Sequence, residues 1–324
     1  MLKRVSIILL LLLAISPALQ AQDDSCEESS DEITADNVAA MVAAEMEHIN
    51  RTYLQIDDAD TSINYLEFEE DGLYVEFADG LIFFGVDADS DTFTGEAYIL
   101  YGTYTDDGFV EEAYYEGSIS AEGAGCDFRL AGDMVSDSDG SSVSIDTRLN
   151  TILFGAGTSQ IEVEGDIAYI TGDLGTRTYQ QITDLIAEYP EVNTLELVNV
   201  PGSVNDEINI HTGRLVREAG LNTYVPANGL IASGGVDLFI AGVERFVEEG
   251  AQIGVHSWCC EDDMTAIELP RDHPAHQNQK DYHSAMLGDR GIDFYFYTLE
   301  AAAFDDIYYM QIDEIKEWEL AEVR

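Results

Sequence analysis

The stretch NGLIASGGVDLFIAGVERFVEEGAQIGVH, from Asn228 to His256, decides how this chain is read. Ser233 lies in a small-residue turn between Ala232 and the pair Gly234-Gly235. GGVDLFIAGVERF then reads as an apolar helix, and AQIGVH as a strand that ends on a histidine. Upstream the same alternation continues. IEVEGDIAYITG is a strand region. TRTYQQITDLIAEYP is a helix with Tyr179, Ile182, Leu185 and Ile186 on one face, ended by Pro190. TLELVNV is a buried-type strand, NDEINIHTGRLVREAG a helix stopped by Gly220, and NTYVP a strand. Strands alternating with helices imply parallel pairing and βα crossovers, so this half is expected to be α/β.

The chemistry follows from where the turns fall. A serine hydroxyl is a weak nucleophile until a neighbouring base takes its proton. The oxyanion that forms needs preorganised N–H donors. Ser233 stands just before a helix, where backbone N–H groups lack intrahelical partners, and Gly234 and Gly235 leave that backbone approachable. A second glycine turn, NVPGSV at 199–204, follows a strand and opens another helix. His256 also ends a strand. In a parallel sheet these three places share the carboxyl edge, where open α/β folds carry their sites.

These motifs resemble the Clp protease proteolytic subunit and its exported relatives in the Clp/crotonase superfamily. The family's first glycine turn corresponds to Asn199-Val200-Pro201-Gly202-Ser203-Val204, here one glycine shorter. Its serine turn corresponds to Ala232-Ser233-Gly234 with Ala241-Gly242 following, and its base to the end of Ile253-Gly254-Val255-His256. The likeness covers residues 167–256 and none of the first half. It implies a Clp/crotonase-like parallel-sheet spiral domain of serine peptidase type. By resemblance Ser233 is the nucleophile and His256 the general base, and the N–H groups of Gly234 and of Gly202 or Ser203 form the oxyanion hole. The acid of the triad falls in FDDIYYMQIDEIKEWEL, with Asp305 first, Asp306 second and Asp272 open; Glu319 stands where the family has a glycine. A catalytically inactive Clp-like binding protein of the cell envelope is the alternative.

The first half reads differently. ITADNVAAMVAAEMEHINRTYLQI has helical spacing at Val38, Met41, Val42, Met46 and Ile49, with Thr34 or Asp36 as cap. From about 60 to 155 come short β-rich runs broken by Asp-Gly and Gly turns, as in an antiparallel meander. Its acidic segments DADSDTFTG and SDSDGSS lack the spacing of an EF-hand loop and read as solvated turns. The expected organisation is a signal peptide at 1–21, an acidic β-rich (α+β) domain at 22–158, and the Clp/crotonase-like domain at 159–324.

The opening MLKRVSIILLLLLAISPALQA has a basic start, an apolar stretch and a small-residue region, the pattern of a secretory signal peptide. Export to the periplasm or the medium is therefore expected, with no membrane contact after its removal. Lys+Arg number 14 against Asp+Glu 64, for a net charge of -50. Such a surface repels nucleic acid and anionic lipid and suggests a saline habitat. Export permits disulfides; Cys26 and Cys126 could pair, while Cys259 and Cys260 are adjacent. The expected partner is a peptide or protein substrate. Family members often form homo-oligomers, and nothing in the sequence counts subunits. No cofactor is implied, since an exported chain with few cations suits coenzyme A phosphates poorly. The runner-up chemistry is a metal held by His273, His276 and His283 with Cys259, Cys260 and Asp262 nearby. A Ser-Lys dyad would have to use Lys280 or Lys316, neither of them in a strong motif.

Overall fold

A computed structural model describes residues 33–324 except 70, 88–91, 106–107, 125–126 and 261–263. The proposed signal peptide and the Cys26–Cys126 pairing lie outside the described residues. The described chain divides into two compact units, 44–154 and 33–43 with 155–324. The division falls four residues before the expected boundary, and residues 33–43 group with the second unit instead of the first. Among the described residues no helix is long and apolar enough to cross a membrane.

Helix α1 (Val38–Ile49) is preceded by a turn in which the Asn37 side chain accepts from the Thr34 N–H (2.7 Å). Strands β1 (Tyr53–Ile56), β2 (Ala59–Asp60), β3 (Ile63–Glu69), β4 (Gly72–Phe77), β5 (Gly80–Asp87), β6 (Thr92–Thr105), β7 (Gly108–Ala124), β8 (Asp127–Val135) and β9 (Ser142–Asn150) follow. They form one antiparallel sheet in the order β2-β1-β9-β8-β7-β6-β5-β4-β3. Alternation decides its faces: Leu73, Val75, Ile82, Phe84, Ile99, Leu130 and Met134 are buried, while their sequence neighbours point the other way. The meander is as expected, but β6 and β7 are long, with 14 and 17 residues. A register shift between Tyr101 and Gly102 lets β6 bend without ending. In the acidic segment at 136–142, Asp139 accepts from the N–H (2.9 Å) and hydroxyl (2.6 Å) of Ser141, an ordinary turn.

The division falls inside α2 (Leu153–Ala156), and the hairpin β10 (Gln160–Glu164) and β11 (Ile167–Thr171) follows in the second unit. Then come α3 (Thr176–Glu188), β12 (Thr194–Val200), α4 (Asp206–Glu218), β13 (Asn222–Val225), β14 (Leu230–Ala232), α5 (Gly234–Ile240), β15 (Arg245–Val247) and β16 (Gln252–Val255). The chain closes with α6 (Gln277–Leu287), α7 (Gly291–Ala301), β17 (Tyr308–Tyr309), α8 (Ile312–Glu317) and β18 (Glu322–Val323). β11 to β16 pair in parallel, as the alternation implies. β12 forks: Thr194–Glu196 pair with β13, whereas Asn199 and Val200 pair with β14. One strand thus feeds two directions of the sheet. The core between sheet and helices is continuous, with Ile170, Leu195, Leu197, Val200, Ile231, Leu238, Ile253 and Phe294 all buried.

One expectation is corrected. GGVDLFIAGVERF is not a single helix: α5 stops at Ile240 and Arg245–Val247 form β15. Where the chain turns, Gly242 packs so tightly on Thr223 that a Cβ there would lie 2.2 Å from its hydroxyl oxygen. Phe246 and Val247 then find strand partners in β13 and β18.

Candidate active site

Three turns leave the sheet at one edge, and register explains why. Val200 pairs with Ile231, and Ala232 with Gly254, so the residues after β12, β14 and β16 emerge side by side. The Ser233 N–H donates to the Gly254 carbonyl (3.0 Å), extending the β14–β16 ladder by one residue. The chain then turns abruptly. Ser233 has φ +51° and ψ -128°, a conformation nearly closed to residues with a Cβ, and α5 starts at the next residue.

The neighbouring glycines let the two turns touch. A Cβ on Gly234 would lie 2.2 Å from the Ser203 oxygen, and one on Gly235 2.4 Å from the Val200 carbonyl oxygen. A Cβ on Gly202 would come 3.6 Å from the Ser233 Cβ, so this turn faces the serine across a van der Waals gap. Leu174 pins the turn from both sides, donating to Gly202 (2.9 Å) and accepting from Val204 (2.8 Å). Asn205 caps α4 by accepting from the Ile208 N–H (3.1 Å). Among the described residues, the N–H groups of Gly202, Ser203 and Gly234 have no hydrogen-bond acceptor. The structure therefore brings all three proposed oxyanion donors close to Ser233.

His256 follows β16. Its Nδ1 lies 3.1 Å from the Phe304 carbonyl oxygen. A carbonyl only accepts, so Nδ1 carries the proton and Nε2 is left with the basic lone pair. Burial holds the imidazole below its ordinary pKa, against the smaller raising effects of the Phe304 carbonyl and Asp206. The place expected of the triad acid is thus held by the backbone one residue before Asp305. Asp305 is exposed and has no hydrogen bond to His256, Asp306 accepts from the Ile307 N–H (3.0 Å), and Asp272 is exposed.

Sequence reasoning missed Asp206, in the first turn of α4. It accepts a hydrogen bond from the Ser203 hydroxyl, and its charge acts on His256. Asp206 keeps solvent-accessible surface although protein atoms crowd its carboxyl. That crowding raises its pKa, while Ser203 and His256 oppose the rise. The available signal was an acidic residue directly after the Asn205 cap, in the first turn of α4.

The three histidines of the metal reading have separate partners. His273 Nδ1 accepts from the Ala275 N–H (3.3 Å), His276 Nδ1 lies 2.8 Å from the Tyr295 hydroxyl, and His283 faces Gln279 and Asp237. Tyr295 also accepts from the Trp258 indole (2.9 Å), which leaves its own proton for His276. Among the described residues no group of three or more His, Cys, Asp or Glu side chains is placed to hold a metal ion. Cys259 and Cys260 are joined to each other as a disulfide. Lys280 donates to the Arg271 carbonyl (3.4 Å). His211, read as structural, is buried on α4 with Nε2 3.4 Å from the Ile33 carbonyl.

No protein-family model matches the chain, and no curated protein matches it. Solved structures of low similarity include an enoyl-CoA hydratase from Bacillus anthracis, with TM-score 0.34, 14% identity, and coverage of 52% of this chain and 69% of that one. A monofunctional enoyl-CoA isomerase from M. smegmatis has TM-score 0.34, 13% identity, and coverage of 52% and 76%. Likeness at this level carries no argument about activity, and the α/β assignment of the second unit rests on its own strand order.

Proposed function

We propose that the second unit is a serine hydrolase, with a peptide or protein as substrate, that forms an acyl-enzyme on Ser233. The single observation that carries this reading is the backbone of Ser233. A non-glycine residue held at φ +51° and ψ -128° between a strand and a helix is costly, and such strain persists where a nucleophile must be presented. The unpaired amides of Gly202, Ser203 and Gly234 lie beside it.

In this reading His256 Nε2 takes the Ser233 proton as the hydroxyl attacks a carbonyl carbon, and the oxyanion is received by those amides. Acyl transfer releases the leaving group, protonated by His256, and water then hydrolyses the ester by the reverse proton path. The lowered pKa of His256 keeps it neutral, and so able to act as base, throughout the neutral range. The Phe304 carbonyl fixes its tautomer, and Asp206 supplies the carboxylate charge that favours the imidazolium. The basic and apolar start of the chain supports export, and a peptide substrate fits an exported hydrolase.

A second reading has one observation in its favour. His256 Nδ1 meets a carbonyl and no carboxylate, so the unit would be a catalytically inactive binding protein of the cell envelope. Hydrolysis of a fluorogenic casein by the mature chain separates the two. We expect activity that falls at least about a hundredfold in Ser233→Ala and in His256→Ala. Equal rates in all three proteins would end the hydrolase reading.

A further inference from the structure

Beneath the Ser233 turn lies a buried titratable pair that the proposed reaction does not use. His283, on α6, is 3% exposed at its side chain, and Asp237, on α5 and four residues after Ser233, is 15% exposed. His283 Nδ1 lies 2.9 Å from the Gln279 carbonyl oxygen, so Nδ1 must carry a proton. Its Nε2 lies 3.4 Å from Asp237 Oδ1. A single proton between Nε2 and the carboxyl would join the two. It rests either on the acid, making a neutral pair, or on the imidazole, making a buried ion pair.

The surroundings decide between these. From α6, Gln279 Nε2 lies 3.5 Å from Asp237 Oδ2, and the Tyr282 hydroxyl donates to the Asp237 backbone carbonyl (2.6 Å). From α4 the nearby charge is Asp206, of the same sign as an ionised Asp237. From α7 come Phe294 and Tyr295, whose rings lie 6.1 and 5.3 Å from the imidazole. Arg214 and Arg217 of α4 act on the Tyr282 hydroxyl, and no lysine or arginine among the described residues acts on Asp237. Burial without a compensating cation disfavours both charged members of the pair. Consistently, burial first and Asp206 second push Asp237 up to about 8, and burial pushes His283 down to about 4.

Position gives the pair a task. α5 has only seven residues, and Ser233 is its N-cap. At its far end Arg217 donates to the carbonyls of Ala241 (2.7 Å) and Ile240 (3.0 Å), and also to Met286 on α6 (3.1 Å). At its middle Asp237 is the residue that Gln279, Tyr282 and His283 all address. We propose that Asp237 is a positioning residue for the Ser233 nucleophile: as a neutral carboxylic acid donating to His283 Nε2, it latches α5 onto α6 and holds the turn in shape. The proposal rests on Ser233 being the nucleophile.

The test uses the mature chain and two readouts. The first is the rate of covalent labelling by a fluorophosphonate between pH 5 and 9. Asp237→Asn places an amide donor where the acid proton was, so it should label within about threefold of wild type at pH 7. It should also abolish the loss of rate expected of the wild type above about pH 8. Asp237→Val, unable to donate, should label at least tenfold more slowly while its tryptophan fluorescence stays native. A hundredfold loss in Asp237→Asn, or identical alkaline limbs in wild type and Asp237→Asn, would overturn the proposal. The second readout needs no activity: ¹⁵N resonances of the six histidines, with His283 assigned by its loss in His283→Gln. At pH 7 they should show His283 protonated on Nδ1 and bare on Nε2; an imidazolium signal would overturn the neutral latch. A wild type that does not label would instead remove the nucleophile, and with it the positioning role, while the ¹⁵N spectrum still decides the pair.

Discussion

Ser233→Gly and Ser233→Ala both remove the hydroxyl, yet they should differ in stability. A residue with a Cβ in the conformation of Ser233 carries about 1–3 kcal/mol of backbone strain. Alanine retains that strain and glycine relieves it. Glycine in turn costs about 0.4–1 kcal/mol through the greater freedom of the unfolded chain. The difference leaves Ser233→Gly more stable than Ser233→Ala by about 1 kcal/mol, which for a unit of this size is roughly 2–4 °C in Tm. The assay is thermal unfolding followed by tryptophan fluorescence, because Trp258 and Trp318, the chain's two tryptophans, both belong to the second unit. Neither variant should label with a fluorophosphonate. Should the glycine variant be no more stable than the alanine variant, Ser233 is not held under strain, and the main reason for reading it as a nucleophile is gone.

Three further outcomes follow from the same structure. Unfolded, Asp237 and His283 together hold one proton up to their ordinary histidine pKa of 6.5, while folded they keep one until Asp237 ionises near 8. Above pH 6.5 the folded state thus binds more protons, and the second unit should lose about 2 kcal/mol by pH 8, measured by urea unfolding; Asp237→Asn should lack this loss. Gly234→Ala sets a Cβ 2.2 Å from the Ser203 oxygen and 2.6 Å from its Cβ, and Ser203 is tied to Asp206. That overpacking should cost about 1–3 kcal/mol in urea unfolding and slow labelling at least tenfold. Finally, with a net charge of -50, the chain should melt higher in 1 M than in 0.1 M sodium chloride as the Debye length falls from about 10 to 3 Å. A Tm unmoved or lowered by salt would remove self-repulsion from the account.

Much of the second unit was legible because periodicity reports burial directly. The helices α3 and α4 and the strands β12, β13 and β16 fall where their apolar spacing put them. Ser233, Gly202 and His256 were legible as a group because glycines and a strand-terminal histidine mark chain ends that a parallel sheet must place together. What was illegible depends on tertiary contact. The apolar run after Gly234 reads as one helix, whereas Gly242 packs on Thr223 and the residues beyond it pair with β13 and β18. The partner of His256 is a main-chain carbonyl, which every residue possesses, so no side chain announces it. Asp206, Asp237 and His283 come from three helices far apart in sequence, and each alone looks like an ordinary helix residue. His283 shares a segment with His273 and His276, whereas its Nε2 faces Asp237.

The central claim is that the Ser233 hydroxyl reacts as a nucleophile activated by His256. Its most direct test is to treat the mature wild-type chain with a fluorophosphonate and locate the adduct by peptide mass spectrometry. The account predicts one adduct, on Ser233, absent from Ser233→Ala and formed at least a hundredfold more slowly in His256→Ala. An adduct on another residue, or no adduct on a folded wild-type chain, would contradict it.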